Sequence, residues 1–148
     1  MNIFGHADIP ENLSPVSLTS MNPEGLYNPA PNGYSHAVIA RGGRGLAFIS
    51  GQGGEDAAGN LVAGFEGQVR QAFENLLVAL TAVGAEPCQV PMITTYVVDH
   101  DEKRLALITD HVRNVFGNSL PAQSLVPVPR LALYGMLFEI EAIAMLDT

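Results

Sequence analysis

The sequence predicts an α+β fold, and three observations carry that reading. Two stretches, Phe65 to Val83 and Leu105 to Phe116, place apolar residues at threes and fours, the spacing of a helix with one buried stripe. Runs rich in β-branched and aromatic residues, above all Met92 to Val98, read as strands. The order β-β-α-β-α-β-β then describes one mixed sheet with both helices packed on one face.

Taken in order, Met1 to Gly33 holds five of the ten prolines (Pro10, Pro15, Pro23, Pro29, Pro31), a density that disfavours helix and predicts an extended N-terminal arm. Val16 to Met21 is the one piece of it able to pair as a short strand. Residues 34–148 form the folded domain. Ser35 to Ala40 and Leu46 to Ser50 read as strands joined by Arg41-Gly42-Gly43-Arg44-Gly45, whose glycines permit the positive φ of a hairpin turn. Gly51 to Gly64 reads as a loop turning at Asp56 to Asn60.

Phe65, Val69, Ala72, Phe73, Leu76, Leu80 and Val83 then stripe the clearest helix, which Gly84 ends. The strand at Met92 to Val98 lacks clean alternation, which predicts burial on both faces. Asp99 or Asp101 can cap the second helix, whose face is Leu105, Ile108, Val112, Val115 and Phe116, and Gly117 closes it. Strands near Gln123 to Val128 and Met136 to Met145 follow, separated by a turn at Pro129 to Gly135.

Composition narrows the function classes. At 148 residues and 15.7 kDa, one domain can bury roughly two thirds of its unfolded surface. Apolar residues make up 47% and charged ones only 15%, so part of the surface is expected to lie under other subunits. With both helices on one side, the other sheet face also needs cover, and self-association would supply it. The net charge is −8, and Arg41, Arg44, Arg70, Lys103, Arg104, Arg113 and Arg130 are scattered, so nucleic acid is a poor partner. No apolar stretch of about 18 residues suggests a membrane span and Met1 to Pro15 lacks a signal-peptide pattern, so the expected location is cytoplasmic. Cys88 is the single cysteine, and His6, His36, His100 and His111 lack metal-ligand spacing, so no metal and no cofactor is expected.

Four blocks add a resemblance. Gly33-Tyr34-Ser35-His36-Ala37-Val38, Phe48-Ile49-Ser50-Gly51-Gln52, Gln68 to Leu76, and Pro121-Ala122-Gln123-Ser124-Leu125-Val126 with Leu137 to Ala144 occur in the order seen in the reactive-intermediate deaminase (RidA or YjgF-like) superfamily. The chain resembles that superfamily from about Tyr34 to Leu146. The resemblance implies a chorismate-mutase-like fold, a homotrimer whose sheets build a central barrel, and a small-molecule pocket at each subunit interface. It carries Tyr34 onto a ligand-contacting tyrosine, Ser50 onto a pocket serine, and Glu139 onto the glutamate that orients or activates water.

Each of these has a plainer alternative. Tyr34 could simply pack, Ser50 could end a strand, and Glu139 could bond neighbouring backbone or a partner side chain. Gly51 allows a close backbone approach beside Ser50. Glu139 and Glu141, two apart, point to the same sheet face, and carboxylates within an apolar strand need water, donors or a ligand.

Gln123 is the departure that decides the expected chemistry. The family's deaminases hydrolyse 2-imino acids and their enamine tautomers, and hold the substrate carboxylate with an arginine where this chain has Gln123. Hydrogen bonds to charged groups contribute roughly 1.5–3 kcal/mol against about 1 for neutral ones, so the amide should weaken an anionic ligand by about one to two orders of magnitude. Arg130, seven residues along, is expected at the strand's far end and, in a regular strand, on the opposite face, making a surface or interface contact. Arg41 and Arg44 are expected in a solvated turn. Thr109 stands where many deaminases have an asparagine, Cys88 has no activating neighbour, and His36 reads as a surface or interface histidine.

The expected protein is therefore a trimer with pockets lined by Tyr34, Ser50, Gly51, Gln123 and Glu139. Its ligand would be neutral or polar, and any reaction would be water addition to C=N or C=O. The alternatives are a weak imine or enamine hydrolase and a noncatalytic ligand- or partner-binding module.

Overall fold

The computed structural model describes residues 14–147, and the first part of the N-terminal arm, residues 1–13, lies outside the described residues. Eight regular elements follow: β1 (Ser17–Met21), β2 (Ala37–Arg41), β3 (Gly45–Gln52), α1 (Phe65–Ala82), β4 (Met92–Val97), α2 (Glu102–Phe116), β5 (Ala122–Pro127) and β6 (Phe138–Leu146). Short 3₁₀ turns occupy Ala30–Asn32 and Pro87–Gln89.

The strands form two sheets, not one. β1 and β2 pair antiparallel, Ser17 opposite Arg41 and Met21 opposite Ala37. The second sheet is mixed, in the order β3-β6-β4-β5, with β6 antiparallel to both neighbours and β5 parallel to β4 through the α2 crossover. The hairpin expected from Ser35–Ala40 and Leu46–Ser50 is thus corrected, because β2 pairs with β1 and β3 with β6. The reason lies in the connecting glycines. The Gly43 N–H donates to Ser14 O (2.8 Å) and the Arg44 N–H to Leu146 O (2.6 Å), so the link is tied to the segment just ahead of β1 and to the end of β6. Gly42, at φ 73°, lies so close to the Ser14 and Pro15 carbonyls that a Cβ would overlap them. Ser35 joins the two sheets by a parallel bridge to Ala122, its N–H donating to Pro121 O (2.9 Å).

Both helices cover one face of the mixed sheet. The α1 stripe of Val69, Ala72, Phe73, Leu76 and Leu80 and the α2 residues Ile108, Val112 and Phe116 pack with Ile93, Val97, Phe138, Ile140, Ala142 and Ala144. Each fully buried Val, Leu, Ile or Phe among them contributes roughly 1.5–3 kcal/mol. Gly84, at φ 74°, ends α1 with the paired bonds Ala85 N–H to Leu80 O and Gly84 N–H to Thr81 O. Between the two candidate caps for α2, the structure selects Asp101, whose carboxylate accepts from the Arg104 N–H (2.8 Å).

β4 corrects a second expectation. Its residues alternate: Ile93, Thr95 and Val97 are buried toward the helices, while Met92, Thr94 and Tyr96 are half-buried on the outer face. The outer side chains are large or β-branched, so the sequence hides an alternation that the backbone enforces. That outer face carries Leu46 and Phe48, 75% exposed, beside Met145 and Ile143, then a polar half with Ser50, Thr94, Glu141, Tyr96 and Glu139.

Candidate functional site

Ser50 and Gly51 sit in a bulge of β3. Ile49 pairs with Ala142 and Gln52 with Ile140, so three steps along β3 match two along β6 and one residue is extra. The Glu139 carboxylate occupies the ground a Gly51 side chain would take: a Cβ there would overlap its Oε1, Cδ and Cγ. The close approach expected at Gly51 is therefore made by a carboxylate. Gly53 repeats the arrangement with Glu55 and Met136. Partial burial, then the Glu55 charge and then that of Glu141 push the Glu139 carboxyl above the ordinary glutamate range.

Glu141 lies on the same face, as the two-residue spacing requires. With Ser50, Thr94, Phe48 and Met92 it lines an open cavity of about 340 Å³ on the outer sheet face. The Tyr96 hydroxyl donates to Glu141 Oε1 (2.9 Å), and this bond is the first cause that raises the phenol above its usual range, ahead of burial and the neighbouring carboxylates. Such a tyrosine fixes the direction of the carboxylate while leaving its other lone pairs for water or ligand.

Polar residues of α1 hold this region in place. Asn75 donates to Gly53 O (3.0 Å) and Glu55 O (2.8 Å), and Gln71 in turn donates to Asn75 Oδ1 (3.0 Å). Gln68, 3% exposed, donates to Gly135 O (3.0 Å) and accepts from the Leu137 N–H (2.8 Å). It thereby fixes the start of β6 just ahead of Glu139. The sequence reading placed Gln68 to Leu76 in a resembling block but gave none of its polar residues a role; the signal was a glutamine on the helix's buried side.

Gln123 faces the other way. It pairs with Ile93, points to the helix side of the sheet, and its Nε2 donates to the buried Thr95 Oγ1 (3.3 Å). Within one chain it is thus across the sheet from Glu139 and Glu141.

Tyr34 stands at a third place, in an aromatic cluster. Its hydroxyl bonds the Tyr27 hydroxyl, and the Tyr27 and His36 rings meet it edge-on at centroid distances of 6.5 and 5.6 Å. His36, expected as an ordinary surface or interface residue, is packed in this cluster, with Nε2 at 2.8 Å from Tyr27 O. Tyr34 also borders a cavity of about 310 Å³ with Ser20, Asn22, Ser35, Arg113 and Asn118. Thr109 approaches from α2, donating to Asn32 O (3.4 Å).

The remaining candidates are peripheral. Arg41 and Arg44 are exposed. Arg130 lies past the end of β5, donating to Leu131 O (3.2 Å) beside an open cleft with Asp99 and Tyr134. The Cys88 thiol is exposed, and burial of part of it and the Glu86 carboxylate push it up, away from an activated thiolate. Among the described residues no group of three His, Cys, Asp or Glu could hold a metal ion, and no helix is long and apolar enough to cross a membrane.

Comparison with known proteins gives consistent neighbours. The family model described as Endoribonuclease L-PSP matches residues 27–146. The RutC family protein YjgH of Escherichia coli (strain K12) is 32% identical over 130 residues, 87% of this chain and 95% of that protein. The crystal structure of YyfB from Yersinia pestis, a protein of unknown function in the conserved Rid family, is 37% identical with a TM-score of 0.82, covering 87% of this chain and 98% of that one. RidA from an Antarctic Psychrobacter species is 30% identical with a TM-score of 0.63, covering 76% and 88%.

Proposed function

The chain belongs to the endoribonuclease L-PSP family, the Rid/YjgF family, and from that premise we propose that it works as a homotrimer with small-molecule pockets between subunits. In this reading Ser50, Gly51 and Glu139, joined by Glu141, come from one copy, while Tyr34 and Gln123 come from the next. The observation that carries it is the separation within one chain: Gln123 points to the helix side of the sheet and the two glutamates to the outer side. A second copy packed against this one could bring the two sets together. The apolar half of the outer face, with Leu46 and Phe48 beside Ser50, supports a packed interface at that position.

The chemistry proposed is addition of water to a polarised C=N or C=O carbon. A carboxylate accepts a proton from water as the oxygen attacks, and Glu139, with its raised affinity for a proton, is the better base of the pair. Glu141, held by Tyr96, orients the water or the ligand. With the neutral Gln123 at the far wall, the ligand in this pocket is neutral or polar, not a simple 2-imino acid. Cleavage of RNA is disfavoured by the charge of −8 and the scattered basic residues.

The test is a coupled assay. A pyridoxal-phosphate-dependent dehydratase generates a 2-imino acid, semicarbazide traps it, and the protein is added. The trapping rate should be nearly unchanged, while a panel of neutral imines and carbonyl compounds should reveal a hydrated product. Strong acceleration of 2-imino acid loss would establish a deaminase and overturn the ligand class. No turnover with any member, alongside ligand-dependent rises in melting temperature, would establish a binding module.

A further inference from the structure

We infer that Asn75 is a positioning residue for the outer-face site: through the loop backbone it grips, it keeps the Glu55 carboxylate beside Glu139 and so makes Glu139 the stronger base of that sheet face. The inference rests on the reading of Glu139 as the proton acceptor, and adds to it one residue from the loop after β3 and one from α1.

The seats of the two carboxylates are the first argument. A Cβ on Gly51 would overlap the Glu139 carboxylate, and a Cβ on Gly53 would overlap Glu55 Oε2 and the Met136 methyl. Two residues of chain span at most about 7 Å, so the carboxylates rest on backbone positions no further apart than that. Charges at this separation lie inside the screening length of about 10 Å at 0.1 M salt and act on each other. Both glutamates are half-buried, which weakens the screening further.

The grip on Glu55 is the second. The Asn75 Nδ2 group donates to Gly53 O (3.0 Å) and to Glu55 O (2.8 Å), which uses both amide hydrogens, and Asn75 Oδ1 accepts from Gln71 Nε2 (3.0 Å). Two carbonyl partners require the donor end of the amide to face the loop, and the Gln71 bond keeps it turned that way. The far end of the loop is closed separately. Glu55 bridges Leu61, the Val62 N–H donates to Gly54 O (2.9 Å), and Asp56 Oδ1 accepts from the Ala58 and Asn60 N–H groups (3.0 and 2.9 Å). The loop is therefore a small closed unit, and the Asn75 amide ties its inner end to α1.

The charges around Glu139 give the third. Glu141 lies two residues on along the same strand, with Oε1 taken by the Tyr96 hydroxyl (2.9 Å) from β4. β3 contributes the uncharged Ser50 and Gln52, and the Gln52 amide donates to Ser50 O (3.0 Å). Asp56 is engaged in its own turn, the charged residues of α1 (Glu66, Arg70 and Glu74) are exposed, and Asp99 and Arg130 line a separate cleft beyond the start of β6. Burial, then the Glu55 charge, then that of Glu141 raise the Glu139 carboxyl, so Glu55 is the leading charge among its neighbours.

The experiment follows the Glu139 side-chain carboxyl carbon by NMR through a pH titration of the full chain, with the signal assigned by its loss in Glu139→Gln. Glu55→Gln and Asn75→Ala should each bring the Glu139 titration down toward the ordinary glutamate range, Asn75→Ala by the smaller amount because Glu55 keeps its charge. The double variant should match Glu55→Gln alone, since Asn75 acts through Glu55. Asn75→Ser, which retains one donor, should fall between wild type and Asn75→Ala and serves where the alanine variant fails to fold. Raising salt should narrow the gap between wild type and Glu55→Gln. Where hydration is found, the acid limb of its pH–rate profile should move down with the titration in each variant. An asparagine that only supports the fold would lower the melting temperature and leave the Glu139 titration in place. An unmoved Glu139 titration in Glu55→Gln or in a folded Asn75 variant, or additive shifts in the double variant, would each overturn the assignment. The titration needs no substrate: a hydration assay that finds none would remove the catalytic reading and leave this test to decide, while turnover with unmoved titrations would remove the positioning role alone.

Discussion

The Glu139 carboxylate rests on the bare Cα of Gly51, in the volume a methyl group would fill. A glycine is required there because the side chain across the strand pair comes down onto the bulge. Gly51→Ala should push the carboxylate aside. Glu139 is only half-buried and can rotate away, so the stability loss should stay near the lower end of overpacking costs, about 1 kcal/mol by denaturant titration. Ligand binding or turnover at the outer-face site should fall much further than stability does.

The raised Glu139 pKa makes a prediction about pH. In the unfolded chain the carboxyl returns to its ordinary value, so between that value and the higher folded one the native state binds more protons, and stability falls as pH rises. Below the unfolded value both states are protonated and the penalty is absent; above the folded value it is complete. Glu139→Gln should therefore melt at a higher temperature than wild type at pH 7 and at the same temperature near pH 4. A melting difference that grows on acidification would contradict the assigned cause.

Gln68 binds two backbone groups from a nearly solvent-free position. Gln68→Leu keeps the volume and orphans the Leu137 N–H and the Gly135 carbonyl, each an unsatisfied group worth about 1–3 kcal/mol if it stays buried. The expected loss is about 2 kcal/mol in urea unfolding, since the loop before β6 can admit some water. Amide exchange at Leu137 should accelerate with it.

Phe48 tests the assembly. At 75% exposure, beside Leu46, Ile143 and Met145, it is an apolar side chain that the described residues leave largely uncovered. If the proposed trimer packs through this face, Phe48→Glu, which adds a carboxylate to the cavity lined by Glu141, should sediment as monomer where wild type sediments as trimer, while far-ultraviolet circular dichroism stays native. A variant that remains trimeric would place the interface elsewhere.

The helices and the last two strands were legible because their signals are local: α1 spans Phe65–Ala82 against an expected Phe65 to Val83, with Gly84 closing it. Strand pairing was not. Gly42 and Gly43 carry the positive φ values that a hairpin turn would use, but their roles are close approach to Pro15 and a bond to Ser14, both set by residues more than 25 positions away. At the site, the period of two put Glu139 and Glu141 on one face correctly. The same rule could not tell that Gln123 on β5 faces the other way, since relative facing depends on register across β4. Nothing in the chain's order signals that Arg113, one of seven scattered basic residues, borders the same cavity as Tyr34.

Gln123→Arg completes the set. Gln123 now donates to Thr95 Oγ1, and Thr95 is fully buried, so an arginine cannot keep that bond without carrying charge toward the core. The side chain is half-buried at the edge strand, which gives the longer arginine a route outward with its stem against the sheet. If the uncharged amide is what excludes acids from the pocket between subunits, the variant should gain acceleration in the semicarbazide assay with 2-imino acids, by about one to two orders of magnitude in kcat/KM over wild type. An arginine at 123 that folds, keeps the wild-type assembly and adds no turnover would show that the missing charge is not what limits the reaction.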